Sequence, residues 1–420
     1  MNKRLLIVFI LGFSSGLPLS LVSSTLQAWF AVSGMSVMAT GMLSLIGLPY
    51  LYRVVWAPLL DRYTLFSLGK RRSWILTTQV LLLLGFNLMA WFSPAAHSYW
   101  LALIAIILAC TSATQDMAIE AHRTEYLTPT QYALGASFAV FGYRVALLVS
   151  GGFALIIAQK FGWAFAYRFM GLLMIVGMLA TLWSSEPSTS TATNTTLAQS
   201  FSEPIKELFA RKGIFALIVF ILLYKLGEAF TATTSGIVMP FLIQGIGFSL
   251  DTIGYVNKIM GVVAILIGGL TAGILMMRWS LYRALMTFGL MQAIANTLFV
   301  ALAVVGNNVA LFALAVICDN FATGMGSTAL VALIMKVVDR RFTATQFSIL
   351  AALSTTPRIF SGPIAAYLYS FFGWVGLYQI SVLLALGFIP FLIKIKPLMD
   401  EEETRSFRKE PLDKPATPQS

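Results

Sequence analysis

The chain has 420 residues, of which 58% are hydrophobic and only 11% charged, with a formal net charge of +11 and a mean hydropathy of +0.83. Soluble domains carry about 25% charged residues, so the composition excludes a soluble globular chain. Apolar runs of the length needed to cross a bilayer, about 20 residues each, recur along almost the whole sequence.

Taken in chain order, these runs predict an all-α membrane protein with twelve transmembrane spans in two six-helix halves: 5–32, 38–60, 73–93, 99–121, 133–158 and 163–184, then 213–240, 250–277, 281–304, 308–336, 344–370 and 374–394. The start "MNKRLLIVFILGF" has the basic residues and apolar run of a signal peptide, but the run continues to Val32 without a small-residue cleavage site and is read as a retained first span. The loop "DRYTLFSLGKRR", Asp61–Arg72, joins spans 2 and 3. Span 4 passes from the uncharged "YWLALIAIILAC" into "SATQDMAIEAHRTEYL", where Asp116 and Glu120 stand one helical turn apart on one face. The stretch 185–212 is Ser/Thr-rich at first and predicts a flexible linker. It closes on "SEPIKELFARK", a short amphipathic helix with Ser202 as cap and Pro204 in its first turn. The sequon at Asn194 is read as chance. The halves are therefore 1–184 and 213–394, and the charged tail 395–420 is expected to be disordered.

Basic residues orient the spans. One set of loops holds Lys3, Arg4, Arg62, Lys70, Arg71, Arg72, Arg123, Lys206, Arg211, Lys212, Arg278, Arg283, Lys336, Arg340 and Arg341, and the tail adds six more, whereas the opposite set holds only Lys160. Both termini and the linker are thus expected on the cytoplasmic side of a bacterial inner membrane. The positive charge is topological, and no nucleic-acid partner is expected. Cys110 and Cys318 lie in apolar runs and make neither a disulfide framework nor a metal motif. There is no phosphate-binding loop, zinc spacing or nucleophile elbow, so the reading is a non-enzyme without cofactor or metal.

Six spans, a cytoplasmic linker and six spans resemble the layout of the major facilitator superfamily. An internal echo fits it. "TQYALGASFAVFGYRVALLVSGG" in span 5 sets Arg144 thirteen residues after Gln131, "TQFSILAALSTTPRIFSGP" in span 11 sets Arg358 twelve residues after Gln346, and a Ser-Gly pair follows each arginine. The Asp61–Arg72 loop resembles the superfamily's loop 2–3 signature. In that fold spans 1, 4, 7 and 10 surround a central cavity. Here span 1 carries Ser14, Ser15, Ser20, Ser23, Ser24, Thr25 and Gln27. Span 4 carries Ser112, Thr114, Gln115, Asp116 and Glu120, span 7 Tyr224, Lys225, Glu228, Thr231 and Thr233, and span 10 Asp319, Asn320, Thr323 and Ser327. Spans 3, 6, 9 and 12 read as nearly free of such groups. Polar side chains at bilayer depth turn toward water or partners, so a hydrated cavity is expected.

Each charged group has two readings. Asp116, Glu120, Glu228 and Asp319 are candidates for proton coupling. Asp116 and Glu120 serve equally as structural or gating partners of Arg53, Arg144 or Arg123, and Glu120 is the better gate partner. Lys225 and Glu228, three residues apart, either neutralise each other or let a proton and an anionic solute compete for the lysine. Lys258 has no partner in its own span. Arg53, Arg144 and Arg358 have the fork that binds carboxylates bidentately, or they brace helices. Asp61, Arg62, Arg71 and Arg72 form a candidate gating loop. His122 is read as interfacial, and the pairs Gly12/Gly16 and Gly269/Gly273 as helix-packing sites.

The stretches "WAPLLDRYT", "GKRRSWILTTQVLLL", "SATQDMAIEAHRTEYL", "GYRVALLVSGG", "LLYKLGEAF", "GYVNKIMGVVA", "SLYRALMTFG", "GMGSTALVALIMK" and "FTATQFSILAALS" cover most of 47–373. They are similar to the AmpG-type muropeptide permease family. The resemblance implies a proton-driven importer, expected as a monomer, that carries N-acetylglucosaminyl-anhydro-N-acetylmuramic acid and its peptides from periplasm to cytoplasm. The sugar hydroxyls would meet Gln27, Gln115, Asn320 and the Ser/Thr lining, the carboxylates Lys225, Lys258 or Arg144, and a sugar ring Trp29 or Tyr224. The chain departs from the family pattern with Glu120 where Asp is frequent and His122 where Trp is frequent, and it has no room for the two extra helices of some members. Two other readings stand beside this one: the same fold importing another bulky polar solute such as a siderophore or coenzyme thioester, and a membrane sensor that transports nothing.

Overall fold

The computed structural model describes residues 3–128, 131–186, 205–210, 213–338 and 343–408, and among these residues there is helix and no strand. The first half opens with α1 (Lys3–Val22) and α2 (Ser24–Val32), one run broken at Ser23, whose hydroxyl donates to the Leu19 carbonyl. The second span is a chain of short pieces: α3 (Val37–Met42), a 3-10 turn, α4 (Leu48–Tyr52), a second 3-10 turn and α5 (Ala57–Arg62). Prolines start both later pieces, where a missing N–H costs nothing. Then follow α6 (Lys70–Met89), α7 (Pro94–Tyr126) and α8 (Tyr132–Leu147), and a π-helical turn over Leu148–Phe153 leads into α9 (Ala154–Phe161). The half ends with α10 (Trp163–Leu172) and α11 (Met174–Trp183).

A short helix, α12, covers 205–210 and buries Leu208. Ser202 and Pro204, expected to start it, lie outside the described residues, as does the Ser/Thr-rich part of the linker. The second half consists of α13 (Ile214–Ala229), α14 (Val238–Pro240), α15 (Leu250–Ile253), a π-helical turn over Gly254–Met260, α16 (Gly261–Met276), α17 (Leu281–Val305), α18 (Val309–Val337), α19 (Thr343–Leu386) and α20 (Ile389–Arg408).

Among the described residues, eight helical runs are long and apolar enough to cross a membrane. The longest of these, Ile349–Pro397, contains the backbone break at Gly373 (φ 63°), where the fold makes two helices of one apolar stretch. The segments predicted as spans 2, 3 and 7 are absent from the eight for visible reasons. The second is broken by prolines, α6 starts on Lys70-Arg71-Arg72, and α13 stops where the chain turns to "FTATTSG". At the C-terminus α20 runs through Pro397 to Arg408, so the first part of the expected disordered tail is helical. The stretch after Pro397 is rich in Met, Leu, Glu and Arg, all good helix formers.

Glycines let the helices close up within each half. An added Cβ at Gly12 or Gly142 would strike the backbone of α8 or α1 respectively. Of the pair expected in α16, Gly269 lies against Thr328 of α18 but Gly273 faces open space, and the closest approach is made by Gly268, at Phe321, with Gly324 returning the contact at Ile265. The helical period selects the face that meets a neighbour, and sequence spacing alone named the wrong glycine.

The halves join at the end of the bundle away from the linker. Gln244 Nε2 donates to the carbonyls of Ala31 (2.7 Å) and Met35 (2.9 Å), and Ser44 Oγ to that of Ile359 (2.6 Å). Gly41, Gly236 and Gly362 bring three backbone segments together there. The two π-helical turns also face each other: Gly152 lies against Lys258, and Gly254 stands near the Gly152 carbonyl. Toward the linker a cavity of about 220 Å³ remains in the second half, lined by residues of α13, α18 and α19.

Candidate functional site

The two deep aspartates sit in different nests. Asp116 of α7 is buried, and its Oδ1 accepts from Ser15 Oγ of α1 at 2.5 Å. Next to it, Ser14 Oγ accepts from Gln115 Nε2 (3.0 Å) and from Gln79 Nε2 (3.1 Å) of α6, and Thr181 Oγ1 of α11 donates to Gln79 Oε1 (2.9 Å). Asp319 of α18, also buried, accepts from Thr231 Oγ1 and from Gln292 Nε2 of α17, both at 2.7 Å. Gln292 Oε1 in turn accepts from Thr323, and Asn296 Nδ2 donates to the Gly227 carbonyl. Contrary to the expectation that spans 3, 6 and 9 are nearly free of polar groups, Gln79, Thr181, Gln292 and Asn296 complete both nests. The count of polar residues per span hid them because a single amide aimed inward satisfies an acid as well as a cluster does.

Glu120, one turn beyond Asp116, lies 3.6 Å from Arg53 Nη2, an ion pair with both side chains partly open to solvent. Tyr143 of α8 stands within electrostatic reach of Asp116, Arg53, Arg144 and Arg358. This gathers charges from both halves at one place.

In α13, Lys225 Nζ meets Glu228 Oε1 at 2.5 Å and donates to Ser327 Oγ of α18 at 3.0 Å. Lys225, Glu228, Ser327 and Arg358 share the wall of the cavity. Phe347, Ala351, Ser354, Thr355 and Arg358 form the α19 side of it, and their spacing is that of a single helix face.

Lys258 is buried in the π-helical turn at the joint between the halves. Its Nζ donates to Ser24 Oγ (2.8 Å) in the first half and to Thr233 Oγ1 (3.3 Å) in the second. Gln27 sits in the same joint, with Nε2 3.4 Å from the Thr234 carbonyl and Oε1 buried without a partner among the described residues. Trp29 is buried and stacked on Trp163 (5.5 Å, 11°), with Tyr167 at 5.1 Å, so it belongs to the apolar core of the first half. Tyr224 packs on Phe220 and Phe388, its hydroxyl buried and unpartnered among the described residues. Asn320 Nδ2 donates to the Val316 carbonyl of its own helix.

The loop 62–70 and its flanks fasten the first half to itself. Arg71 forks onto Glu125 at the end of α7, with Nη2 2.7 Å from Oε1. Glu186 accepts from the backbone N–H groups of Arg71 (2.7 Å) and Arg72 (3.1 Å), capping α6, and Arg72 caps α11 through the carbonyls of Thr181 and Leu182. A carboxylate at a helix start and a guanidinium at a helix end both match the helix dipole. Arg62 is exposed and lies over the Tyr63 ring, and the side chain of Asp61 lies outside the described residues. Glu125 and Glu186 were missed in the sequence reading because nothing in their spacing announces a partner. His122 is buried, stacked on Tyr126, with Nε2 3.4 Å from the Ser185 carbonyl.

The family model of the Major Facilitator Superfamily matches twice, at residues 4–229 and 221–418, once on each half. The anhydromuropeptide permease of Escherichia coli K12 is 40% identical over 394 residues, which are 93% of this chain and 80% of that one. A Rickettsia conorii protein named as an AmpG transporter is 28% identical over 92% of this chain and 94% of its own length. In fold the chain is similar to a bacterial homologue of the lysosomal transporter Spinster, solved inward-facing and unoccupied (TM-score 0.71, 15% identity, 99% of this chain and all of that one). It is also similar to a peptide transporter of the POT group (TM-score 0.72, 12% identity, 96% of each chain). With its doubled helical halves, its membrane-length apolar helices and its polar cavity, the chain is a multi-pass membrane transporter that belongs to the Major Facilitator Superfamily, in the family of the Escherichia coli anhydromuropeptide permease.

Proposed function

We propose that the protein is a proton-coupled importer of anhydro-muropeptides in the bacterial inner membrane, working as a monomer with both termini in the cytoplasm. The observation that carries this is 40% identity, along nearly the whole chain, to a protein named for that cargo. The site chemistry supports it. A disaccharide-peptide brings hydroxyls, amides and carboxylates, and the cavity wall offers Ser327, Ser354 and Thr355 beside Lys225 and Arg358. In this reading the joint formed by Gly41, Gly236, Gly362 and Lys258 closes the periplasmic side, and the cavity opens to the cytoplasm.

Asp116 and Asp319 are the proton sites of this proposal, since each is buried beside neutral donors that serve a carboxylate and tolerate its protonation. Glu228 joins them through Lys225: a cargo carboxylate that takes Lys225 leaves Glu228 to take up a proton. Cargo and proton then favour each other's binding by the same factor. Glu120 with Arg53, and Arg71 with Glu125, serve the gate on the cytoplasmic face. Gln115, Asn320, Tyr224 and Arg144 border the cargo path, while Gln27, Trp29 and Lys258 set the periplasmic closure.

The test is uptake of labelled anhydro-muropeptide into proteoliposomes under an imposed pH gradient. A siderophore, a coenzyme thioester and unlabelled muropeptide are offered as competitors. Uptake that depends on the gradient and is suppressed only by muropeptide is the expected outcome. Suppression by one of the other solutes, or no uptake, rejects the assignment.

A further inference from the structure

Three cations of the site and its surroundings have partners. Arg53 has Glu120, Lys225 has Glu228, and Lys258 has two hydroxyls. The guanidinium of Arg358, like that of Arg144, has no hydrogen bond or ion pair among the described residues, and of the two it is Arg358 that lines the cavity. It does so on the α19 face that carries Ser354 and Thr355. It comes from the second half and reaches the electrostatic neighbourhood of Tyr143 in the first. The acid that shares the cavity wall with it, Glu228, is engaged by Lys225. The residue is exposed on the cavity wall, so its guanidinium donors face open space and are available to a counter-ion that enters the cavity.

We propose that Arg358 is the carboxylate anchor of the cavity, the residue that selects solutes carrying a free carboxylate and binds that group bidentately. The proposal rests on the transport reading above. A guanidinium offers two parallel N–H donors matched to the two oxygens of a carboxylate, whereas an ammonium is a point charge. Arg358 requires no rearrangement to accept a ligand, while Lys225 must first leave Glu228. The first carboxylate of the cargo therefore goes to Arg358, and a second one competes for Lys225. The anchor sits one turn before Gly362, the glycine that joins the halves, so a ligand bound there touches the element on which closure depends.

The experiment uses the purified full-length protein. Its probes are N-acetylglucosaminyl-anhydro-N-acetylmuramyl tripeptide and the same compound with its carboxylates converted to amides. Calorimetry on the wild type is expected to favour the carboxylate form by about 10- to 100-fold, the range of charge-assisted hydrogen bonds. Arg358→Gln erases that preference, its fold certified separately by a wild-type melting curve, and Arg358→Lys keeps part of it. Equal binding of both forms by the wild type, or a preference that survives in Arg358→Gln, overturns the anchor and leaves the transport reading standing. Failure of the wild type to bind either form overturns the transport reading itself. An independent arm labels cargo-free protein with phenylglyoxal. Arg358 reacts as the exposed Arg62 does and is protected by the carboxylate probe. Resistance to the reagent, or reaction without protection, rejects the proposal whatever the cargo.

Discussion

The joint between the halves depends on backbone touching backbone, and alanine at Gly362 tests this directly. In α19 the residue has ordinary helical geometry, so the substitution introduces no backbone strain. The added Cβ would overlap the Gly41 carbonyl, the Ser235 carbonyl and Ser44 Oγ. Ser44 Oγ can turn away, but the Gly41 carbonyl of the opposite half and the Ser235 carbonyl are backbone and cannot yield by a rotamer change. Relief requires the halves to part. Gly41→Ala is the milder version, its Cβ falling 2.8 Å from the Gly362 carbonyl oxygen and 3.0 Å from Ala366 Cβ. Overpacking of a tight contact costs about 1–3 kcal/mol. We therefore expect Gly41→Ala near the low end and Gly362→Ala near the high end, which shift the population away from the closed joint by about 5-fold and about 150-fold respectively. Nitroxide labels at the exposed Met38 and Ser249, on opposite sides of the joint, read the distance between the halves. The short-distance population should fall in that order, with thermal stability largely kept because each half retains its own core. A Gly362→Ala protein that melts normally and shows the wild-type distance distribution refutes the reasoning.

Asp116→Asn keeps the size and the Ser15 contact but removes the titrating group. Uptake driven by a pH gradient should fall at least about tenfold while gradient-free counterflow survives, and unchanged gradient-driven uptake transfers the proton to Asp319 or Glu228. Lys258→Met fills the same volume without a buried, unneutralised ammonium, so its melting temperature should hold or rise. Lys258→Ala leaves space against Gly151 and Gly152 and should lose about 2 kcal/mol or more. Equal losses in the two variants would mean that the bonds to Ser24 and Thr233 hold the joint. Glu186→Gln removes the charge that caps α6 and should cost about 1 kcal/mol at low ionic strength. The difference from wild type should shrink in high salt, and melting curves that show no salt dependence of the difference exclude a dipole contribution.

By itself the sequence determined the medium, the helical class and the two-half layout, because each is set by a sum over many residues, above all hydropathy over about 20 residues; the basic charge summed over the loops is what carries the proposed orientation. It also singled out Asp116 and Asp319, which the fold buries, and Lys225 and Glu228, which line the cavity, since a charge in an apolar run has few alternatives; Glu120, named with them, is exposed and pairs with Arg53. Pairings between distant elements were decided only by the tertiary structure. Lys225 with Glu228 was legible because three residues is a helical spacing, but Asp319 with Gln292, Arg71 with Glu125, and Glu186 with the start of α6 depend on which helix faces meet, and no local pattern carries that information. The same holds for Trp29, an aromatic in an apolar helix that suits a sugar platform and a core equally well, and that the packing of Trp163 and Tyr167 assigns to the core. Arg358 is the converse case: its residue type and depth were visible from the start. Its lack of a protein partner among the described residues, which is what gives it meaning, became visible only when Glu228, the acid on the same cavity wall, was found to be engaged by Lys225.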